Sequence, residues 1–555
     1  MQGLHLKYVN ETYDEKGMLK TFSLNVPTGF NFGYDVVDEL ARLEPNKTAM
    51  VWCDETGAER VFSFADIKKY SDKTANFFKS LGIGKGDMVM VILRRHYEFW
   101  FSMVALHKLG AVAIPATSLL TTHDLVYRFN AANVKALVCT ATGDVANYVD
   151  EAQPQCASVA VKIIVKGEKD GWYSFTENME AASEIFERPR EVQNQKVTDP
   201  MLIYFSSGTS GMPKMACHNF AYPLGHIVTA KHWQNVDPEG LHLTVADTGW
   251  GKAVWGKLYG QWLMEAAVFV YDFDKFAPAD LLAKIEKYRI TTFCAPPTIY
   301  RFFIKEGMEG FDLSSLKYAT VAGEALNPEV FNKFYQYTGL KLMEGFGQTE
   351  TTLTVLNRVG MEPKPGSMGK PSPQYEVSIV DENCKLAPIG QVGEIVICTK
   401  HGKPAGLFSG YYKDKERTDA AWHDGYYHTG DTAWQDEDGY LWYVGRTDDV
   451  IKSSGYRIGP FEIESVLMEH PAVLECAVTG APDPVRGQVV KATIVLMRGY
   501  SPSEELANEI KDFVKHATAP YKYPRILEFV TELPKTINGK IRRVELREKS
   551  KRTGE

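Results

Sequence analysis

Leu202-Ile203-Tyr204-Phe205 runs directly into Ser206-Ser207-Gly208-Thr209-Ser210-Gly211-Met212-Pro213-Lys214. An unbroken apolar run that stops at a polar, turn-rich stretch reads as a buried strand. The loop after it suits an anion. Gly208 and Gly211 let backbone amides turn inward, Ser206, Ser207, Thr209 and Ser210 offer hydroxyl donors, and Lys214 supplies charge. A polyphosphate wants that set. The order is not G-x-x-x-x-G-K-[ST], so this is a phosphate loop but not that of the common NTPase fold.

Outward from this point, short β-branched runs alternate with longer amphipathic stretches, which indicates α/β layers. Residues 89–93 read as a buried strand, 97–109 as a helix capped by Gly110, and 111–114 as the next strand. Residues 136–139, 163–165, 268–271, 291–295 and 318–321 are further buried-strand candidates. From Val377 the style turns to antiparallel β, with strands at 377–380 and 394–398 and Pro388-Ile389-Gly390 as punctuation. A third style begins near Asp448, with helices at 462–468 and 504–516 and strands at 474–479 and 489–497. The expected boundary divides residues 1–447 from 448–555.

At 555 residues the chain is too long for one ordinary core. Its 44% hydrophobic and 24% charged residues are the balance of a soluble globular protein, and no apolar run approaches a bilayer span. The net charge of −8 disfavours a nucleic-acid partner. The eight cysteines are scattered without a close pair, which argues against zinc and against a disulfide framework. The first twenty residues lack a secretory pattern, and Glu11, Asp14 and Glu15 fit a transit peptide poorly, so the cytoplasm is the expected compartment. The composition leaves a homodimer open.

The phosphate loop resembles the signature of the adenylate-forming superfamily, which comprises acyl-CoA synthetases, luciferases and peptide-synthetase adenylation domains. Further segments follow in that superfamily's order. Ala322-Gly323-Glu324-Ala325-Leu326 resembles its adenine-contacting loop. Glu344-Gly345-Phe346-Gly347-Gln348-Thr349-Glu350 resembles the segment bordering the acyl pocket, with Thr349 at the α-phosphate and Glu350 holding Mg²⁺. Thr429-Gly430-Asp431 would place a carboxylate on the ribose diol. The stretch from Gly445 to Ile458 supplies Arg446 at the ribose end and Asp448 as hinge. Pro534-Lys535-Thr536-Ile537-Asn538-Gly539-Lys540 ends on the lysine that enters the active site during adenylation. The resemblance covers roughly residues 200–545. It implies an α/β fold whose large N-terminal domain has two αβ-layered subdomains and a β-barrel-like one, followed by a small mobile α+β domain.

The implied chemistry is attack of a carboxylate on the α-phosphorus of ATP, giving an acyl-adenylate and pyrophosphate, then thioester formation with coenzyme A. Lys540, Lys214 and Mg²⁺ at Glu350 would hold the charge that gathers in the first step. For the second, Ser454, Gly455 and Tyr456 would line a tunnel for the pantetheine arm. Arg457, Arg486 and Arg525 are candidates for the CoA phosphates, with surface salt bridges the other reading of the last two.

Asp247-Thr248-Gly249-Trp250 and Gly347 resemble the acetyl- and medium-chain acyl-CoA synthetase branch. Acetate-specific members carry Trp where Gly347 stands, so glycine is expected to leave room for several more carbons. The acid would be short- or medium-chain, branched or aromatic. Trp250, Trp255 and Cys294 are expected as pocket wall. Lys252 either meets the substrate carboxylate or, the favoured reading, snorkels at the surface. A carrier-dependent adenylation domain, a luciferase-like oxygenase and a non-catalytic nucleotide binder are the competing readings.

Overall fold

The computed structural model describes residues 3–206, 212–453, 456–519, 521–536 and 540–553. Two large mixed sheets, a smaller antiparallel sheet and a C-terminal α+β unit follow one another, the α/β architecture expected. The first sheet has eight strands. Met88–Ile92 lies at its centre, buried along its whole length, with Val112–Pro115 and Ala136–Thr140 parallel on either side. Uniform burial explains why these strands read as apolar runs rather than alternating ones. Helix Glu98–Leu109 is also buried on every side, and Gly110 ends it at φ +68°. Its buried lysine is paired, with Lys108 Nζ 2.5 Å from Asp72 and 2.6 Å from Asp38.

The second sheet has nine strands. Its parallel middle runs in the order Leu342–Gly347, Tyr318–Val321, Thr292–Ala295, Leu241–Thr244, Ala267–Asp272 and Thr48–Asp54. In the third sheet Tyr426–Gln435 pairs antiparallel with Gly393–Cys398 and with Leu441–Arg446. A bridge from Gly369 to Leu441 ties this sheet to the second.

The C-terminal unit wraps helices Pro460–Leu467 and Glu504–Ala517 over a sheet centred on Val473–Asp483 and Gly487–Leu496. Arg543 grips Glu464 with three hydrogen bonds, at 2.7, 2.8 and 3.3 Å. The unit docks on the third sheet. A β-carbon on Gly459 would stand 2.5 Å from the Val444 carbonyl, Phe461 lies edge-on to Tyr443, and Asn327 Nδ2 donates to the Ser465 carbonyl at 3.2 Å.

Candidate active site

The phosphate loop connects a hairpin. Pro200–Ser206 and Lys214–Asn219 are antiparallel neighbours in which Ser206 pairs with Lys214, so the two strand ends that flank the loop face each other. Ser207, Gly208, Thr209, Ser210 and Gly211 lie outside the described residues. The edge strand Gly410–Tyr411 pairs with Ala216 and Cys217 and brings the Tyr411 ring within 5.1 Å of Lys214 Nζ. The Tyr411 hydroxyl donates to Glu350 Oε1 at 3.0 Å. One tyrosine thus connects the loop lysine to the buried carboxylate expected to hold a cation. Burial lowers the Lys214 pKa against the pull of Glu350, with Arg446 and Arg417 adding to the lowering.

The turn from Gly347 to Leu353 carries the next residues. Gln348 Nε2 donates to the Thr429 carbonyl at 2.7 Å and to Asp431, and the Tyr427 hydroxyl donates to Gln348 Oε1 at 2.8 Å. Buried His218 donates from Nε2 to the Thr349 carbonyl at 2.7 Å. Asp431 and Arg446 sit opposite each other on paired strands, with Arg446 Nη1 3.3 Å from Asp431 Oδ2 and 3.1 Å from the Thr429 carbonyl. The Tyr443 hydroxyl donates to Asp431 Oδ1 at 3.0 Å. Burial raises the Asp431 pKa against these partners. Burial also opposes the charge on Arg446, but Asp431 and then Asp448 outweigh it and hold its pKa up. Asp448 Oδ1 lies 3.7 Å from Arg446 Nε.

Lys540 comes from the small domain to the same place. It is exposed, yet close enough to act on the charges of both Asp431 and Lys252. Lys252 does not snorkel, which corrects the favoured reading of that residue. Its Nζ donates to the Ala322 carbonyl at 2.6 Å and stands 3.9 Å from where a β-carbon on Gly323 would be. Burial lowers its pKa, with Cys294 and Glu324 opposing. Lys252 therefore points inward, between Cys294 and the loop at Ala322-Gly323. Glu324 is exposed beside Thr298, Ala325 is half-buried, and Phe346 rests near Tyr443.

Glu344 is buried, and its only described donor is the Leu326 amide at 3.3 Å. Burial pushes its carboxyl up to about 8, against that amide. A β-carbon on Gly345 would meet the Trp233 ring at 2.7 Å, so glycine there is set by packing.

The space expected at Gly347 is filled. A β-carbon there would lie 2.5 Å from Trp255 Cη2 and 2.5 Å from the Thr352 carbonyl oxygen. The Trp255 indole occupies that room from the facing helix Gly251–Lys257, anchored by a 3.0 Å hydrogen bond to the Tyr222 hydroxyl. Trp250 caps the N-terminus of the same helix, and Cys294 is buried on Thr292–Ala295.

Those CoA candidates whose side chains are described, Tyr456, Arg486 and Arg525, lie at the surface. Ser454 and Gly455 lie outside the described residues, as does the Arg457 side chain. Tyr456 is 51% exposed and stacks on Tyr521 at 4.2 Å. Arg486 and Arg525 are exposed, the latter over Tyr523. Ser453 pairs with Gly487, which places Arg486 next to the partner of the last residue described before Ser454.

His218, Tyr411, Tyr427 and Tyr443 went unread in the sequence. No local pattern marks them, because each meets its partner only through the fold.

The pattern of the AMP-binding enzymes matches residues 37–412, and that of their C-terminal domain matches residues 462–540. The chain belongs to the AMP-binding enzymes. Within that family it is 42% identical over 549 residues to an acyl-coenzyme A synthetase ACSM3, mitochondrial, of Pongo abelii, covering 97% of this chain and 92% of the relative. It is equally 42% identical over 547 residues to an acyl-coenzyme A synthetase ACSM4, mitochondrial, of Rattus norvegicus, covering 97% and 93%. Among solved structures, an anthranilate CoA ligase, AuaEII, in complex with anthranoyl-AMP superposes with a TM-score of 0.86 at 28% identity, covering 95% of this chain and 99% of that one. A benzoate CoA ligase from Burkholderia xenovorans LB400 gives 0.80 at 26%, covering 93% and 100%.

These relatives overturn the cytoplasmic expectation, since the curated ones are mitochondrial by name. The acidic residues used to argue against a transit peptide belong to the folded enzyme. Glu11 lies in strand Val9–Tyr13 and pairs with Lys231 at 2.5 Å and His232 at 2.7 Å. Such residues carry no information about targeting.

Proposed function

We propose that this AMP-forming acid–CoA ligase activates a short- or medium-chain, branched or aromatic carboxylic acid in the mitochondrion. The acid's carboxylate attacks the α-phosphorus of ATP, pyrophosphate leaves, and the CoA thiol then attacks the acyl-adenylate carbonyl and releases AMP. The observation carrying this reading is the convergence of Lys214, Arg446 and Lys252 of the large domain with Lys540 of the small one around buried Asp431 and Glu350. Three cations at half-buried positions and an exposed fourth, Lys540, suit a polyphosphate and the charge that grows on it.

In this reading Asp431 and Arg446 hold the ribose end, and Thr349 meets the α-phosphate on a turn fixed by His218. Lys214 and the Ser206–Gly211 loop cradle the phosphates. Glu344, Gly345 and the 323–325 loop border the adenine. The buried Glu350 carboxylate, oriented by Tyr411, fits a hard cation such as Mg²⁺, which would neutralise phosphate charge when bound. Lys252 meets the substrate carboxylate or the α-phosphate. Lys540 near Asp431, with Tyr456 exposed, is the arrangement suited to adenylation. Rotation of residues 448–555 about Asp448 would withdraw Lys540 and bring Ser454, Gly455, Tyr456 and Arg457 inward for the thiol step, with Arg486 and Arg525 on the CoA phosphates.

Lys540→Ala tests this. Acid-dependent pyrophosphate exchange should fall by roughly 10²–10³, the loss of one charge-stabilising donor, while thioester formation from supplied acyl-adenylate persists. Gly455→Leu should do the reverse. Equal loss of both half-reactions in Lys540→Ala would refute the assignment.

A further inference from the structure

Two hairpin tips of the third sheet meet beside the Thr429-Gly430-Asp431 stretch. Cys384 closes the turn that begins at Asp381, and His423, Asp424 and Gly425 form the turn entering Tyr426–Gln435. Among the described residues, Cys384, His423 and His428 are a group whose ligand atoms all lie within 4.8 Å of one another. Spacing in the sequence could not reveal this, because 40 residues separate Cys384 from Asp424. The expectation that the scattered cysteines argue against zinc considered only neighbours along the chain.

The hydrogen bonds fix how the two imidazoles present themselves. His423 Nδ1 lies 2.7 Å from Asp424 Oδ2, and His428 Nδ1 lies 2.9 Å from Glu394 Oε2. An ionised carboxylate only accepts, so each Nδ1 carries a proton, which leaves Nε2 as the nitrogen whose lone pair the neutral ring offers to a metal. Carboxylates placed behind histidines in this way orient metal ligands and strengthen them. The His428 side chain is only 8% exposed, and its Nε2 is buried without a hydrogen-bond partner. A buried nitrogen left unsatisfied costs stability unless something occupies it. The Cys384 thiol completes the group, donating to Asp424 Oδ2 at 3.4 Å.

We propose that Cys384, His423 and His428 form a site for a thiophilic divalent metal ion of the zinc class, separate from the cation position at Glu350. One thiolate and two imidazoles match zinc's preference for sulfur and nitrogen ligands, with water in the fourth position. Binding releases the Cys384 proton to solvent. Bond lengths of about 2.0–2.3 Å put ligand atoms roughly 3.4–3.7 Å apart, so the group must contract slightly. The two rings stack at 3.7 Å and 11°, and a metal in the plane of both requires one to tilt out. His423, with 46% of its side chain exposed, can do so, whereas His428 is held by Glu394.

The site adjoins the nucleotide machinery without belonging to it. Glu394 also accepts the Gly430 amide at 2.8 Å, and His428 directly precedes Thr429-Gly430-Asp431. The proposal does not depend on the reading of the catalytic centre.

Zinc uptake by the full chain should be titrated against a chromophoric chelator, without nucleotide and with excess Mg²⁺ to occupy hard oxygen sites. The expected result is one equivalent per chain, with affinity at least 10²-fold weaker in Cys384→Ser and in His423→Ala, since even the supporting carboxylates are worth about 10–100-fold. Both positions lie at exposed hairpin tips, and unchanged thermal unfolding of the metal-free variants checks that they fold. Cobalt(II) gives a second readout: wild type should show sulfur-to-metal charge transfer that vanishes in Cys384→Ser. No uptake by wild type, equal uptake by wild type and both variants, or a cobalt spectrum indifferent to Cys384 would overturn the site.

Discussion

Trp255→Leu should lengthen the acid that the enzyme prefers. The indole closes the space in front of Gly347, with Cη2 at 2.5 Å from the position of a β-carbon there, and its Nε1 is tied to the Tyr222 hydroxyl. Leucine keeps an apolar contact with the surrounding core but vacates the volume of a fused ring. Two methylenes admitted there, at a low value within the ~1–3 kcal/mol that each is worth in an apolar pocket, amount to about 3 kcal/mol. That is roughly 10²-fold in kcat/KM for an acid two carbons longer, measured relative to the acid preferred by wild type. Truncating a buried side chain also costs about 2–5 kcal/mol of stability, so thermal unfolding must accompany the kinetics. The assay is a graded panel of straight, branched and aromatic acids, scored by AMP and thioester formation. An unchanged order of preference in a folded Trp255→Leu variant would refute the idea that this indole ends the acyl pocket. Gly347→Ala is the counterpart. Its β-carbon would strike the Thr352 carbonyl oxygen as well as the indole, and backbone cannot turn aside, so turnover should fall for every acid rather than shift along the series.

Tyr411→Phe removes the hydroxyl that orients Glu350 and should raise the Mg²⁺ concentration needed for half-maximal adenylation by about 10-fold, the lower end for a residue supporting a metal ligand; an unaltered Mg²⁺ dependence would show that Glu350 needs no such support. Glu344 makes a pH prediction. Its carboxyl is held up at about 8 by burial, so the folded protein keeps a proton that the unfolded chain sheds above about 4.5. That stabilisation is complete at low pH and is lost as pH rises toward 8, at ~1.4 kcal/mol per unit. Glu344→Gln should remove this slope, so denaturant midpoints of variant and wild type should diverge between about pH 5 and pH 8; parallel curves would mean the carboxyl is ionised in the fold. Lys257, brought down to about 7 chiefly by burial, acts in the opposite sense above that pH, which is why the variant must be compared with wild type at each pH.

The sequence made legible whatever sits on a contiguous stretch. The central strands and helix Glu98–Leu109 lie within a residue or two of their expected bounds because complete burial writes itself as an apolar run. Lys214, Glu350, Asp431 and Arg446 could be singled out because each belongs to a short stretch resembling a family motif, and the fold brings Lys214 to Glu350 through Tyr411 and Arg446 to Asp431. The residues that aim them could not, since Tyr411 reaches Glu350 across 61 positions and His218 reaches Thr349 across 131. Gly347 was read as empty space because an absent side chain says nothing of what the opposite wall sends in. Lys252 was misread because a lysine among aromatics looks like a stem lying along a surface, and only the Ala322 carbonyl reveals its inward course.

Burial also sorts the cations into fixed and movable ones. Arg446 is locked between the Thr429 carbonyl and buried Asp431, and removing either partner would strand a charge away from water. Lys252 is likewise committed to the Ala322 carbonyl. Lys540 is exposed, and the described hydrogen bonds at that residue are backbone ones to Thr536, whose amide donates to the Lys540 carbonyl at 2.7 Å. Its attraction for the site is therefore screened and weak until a nucleotide brings negative charge there. In the proposed mechanism a charge so held would leave at little cost once pyrophosphate had departed, while Arg446 would keep the nucleotide in register. On that proposal the same chain would hold the acyl-adenylate by its AMP moiety and still clear the approach to the acyl carbonyl for the thiol.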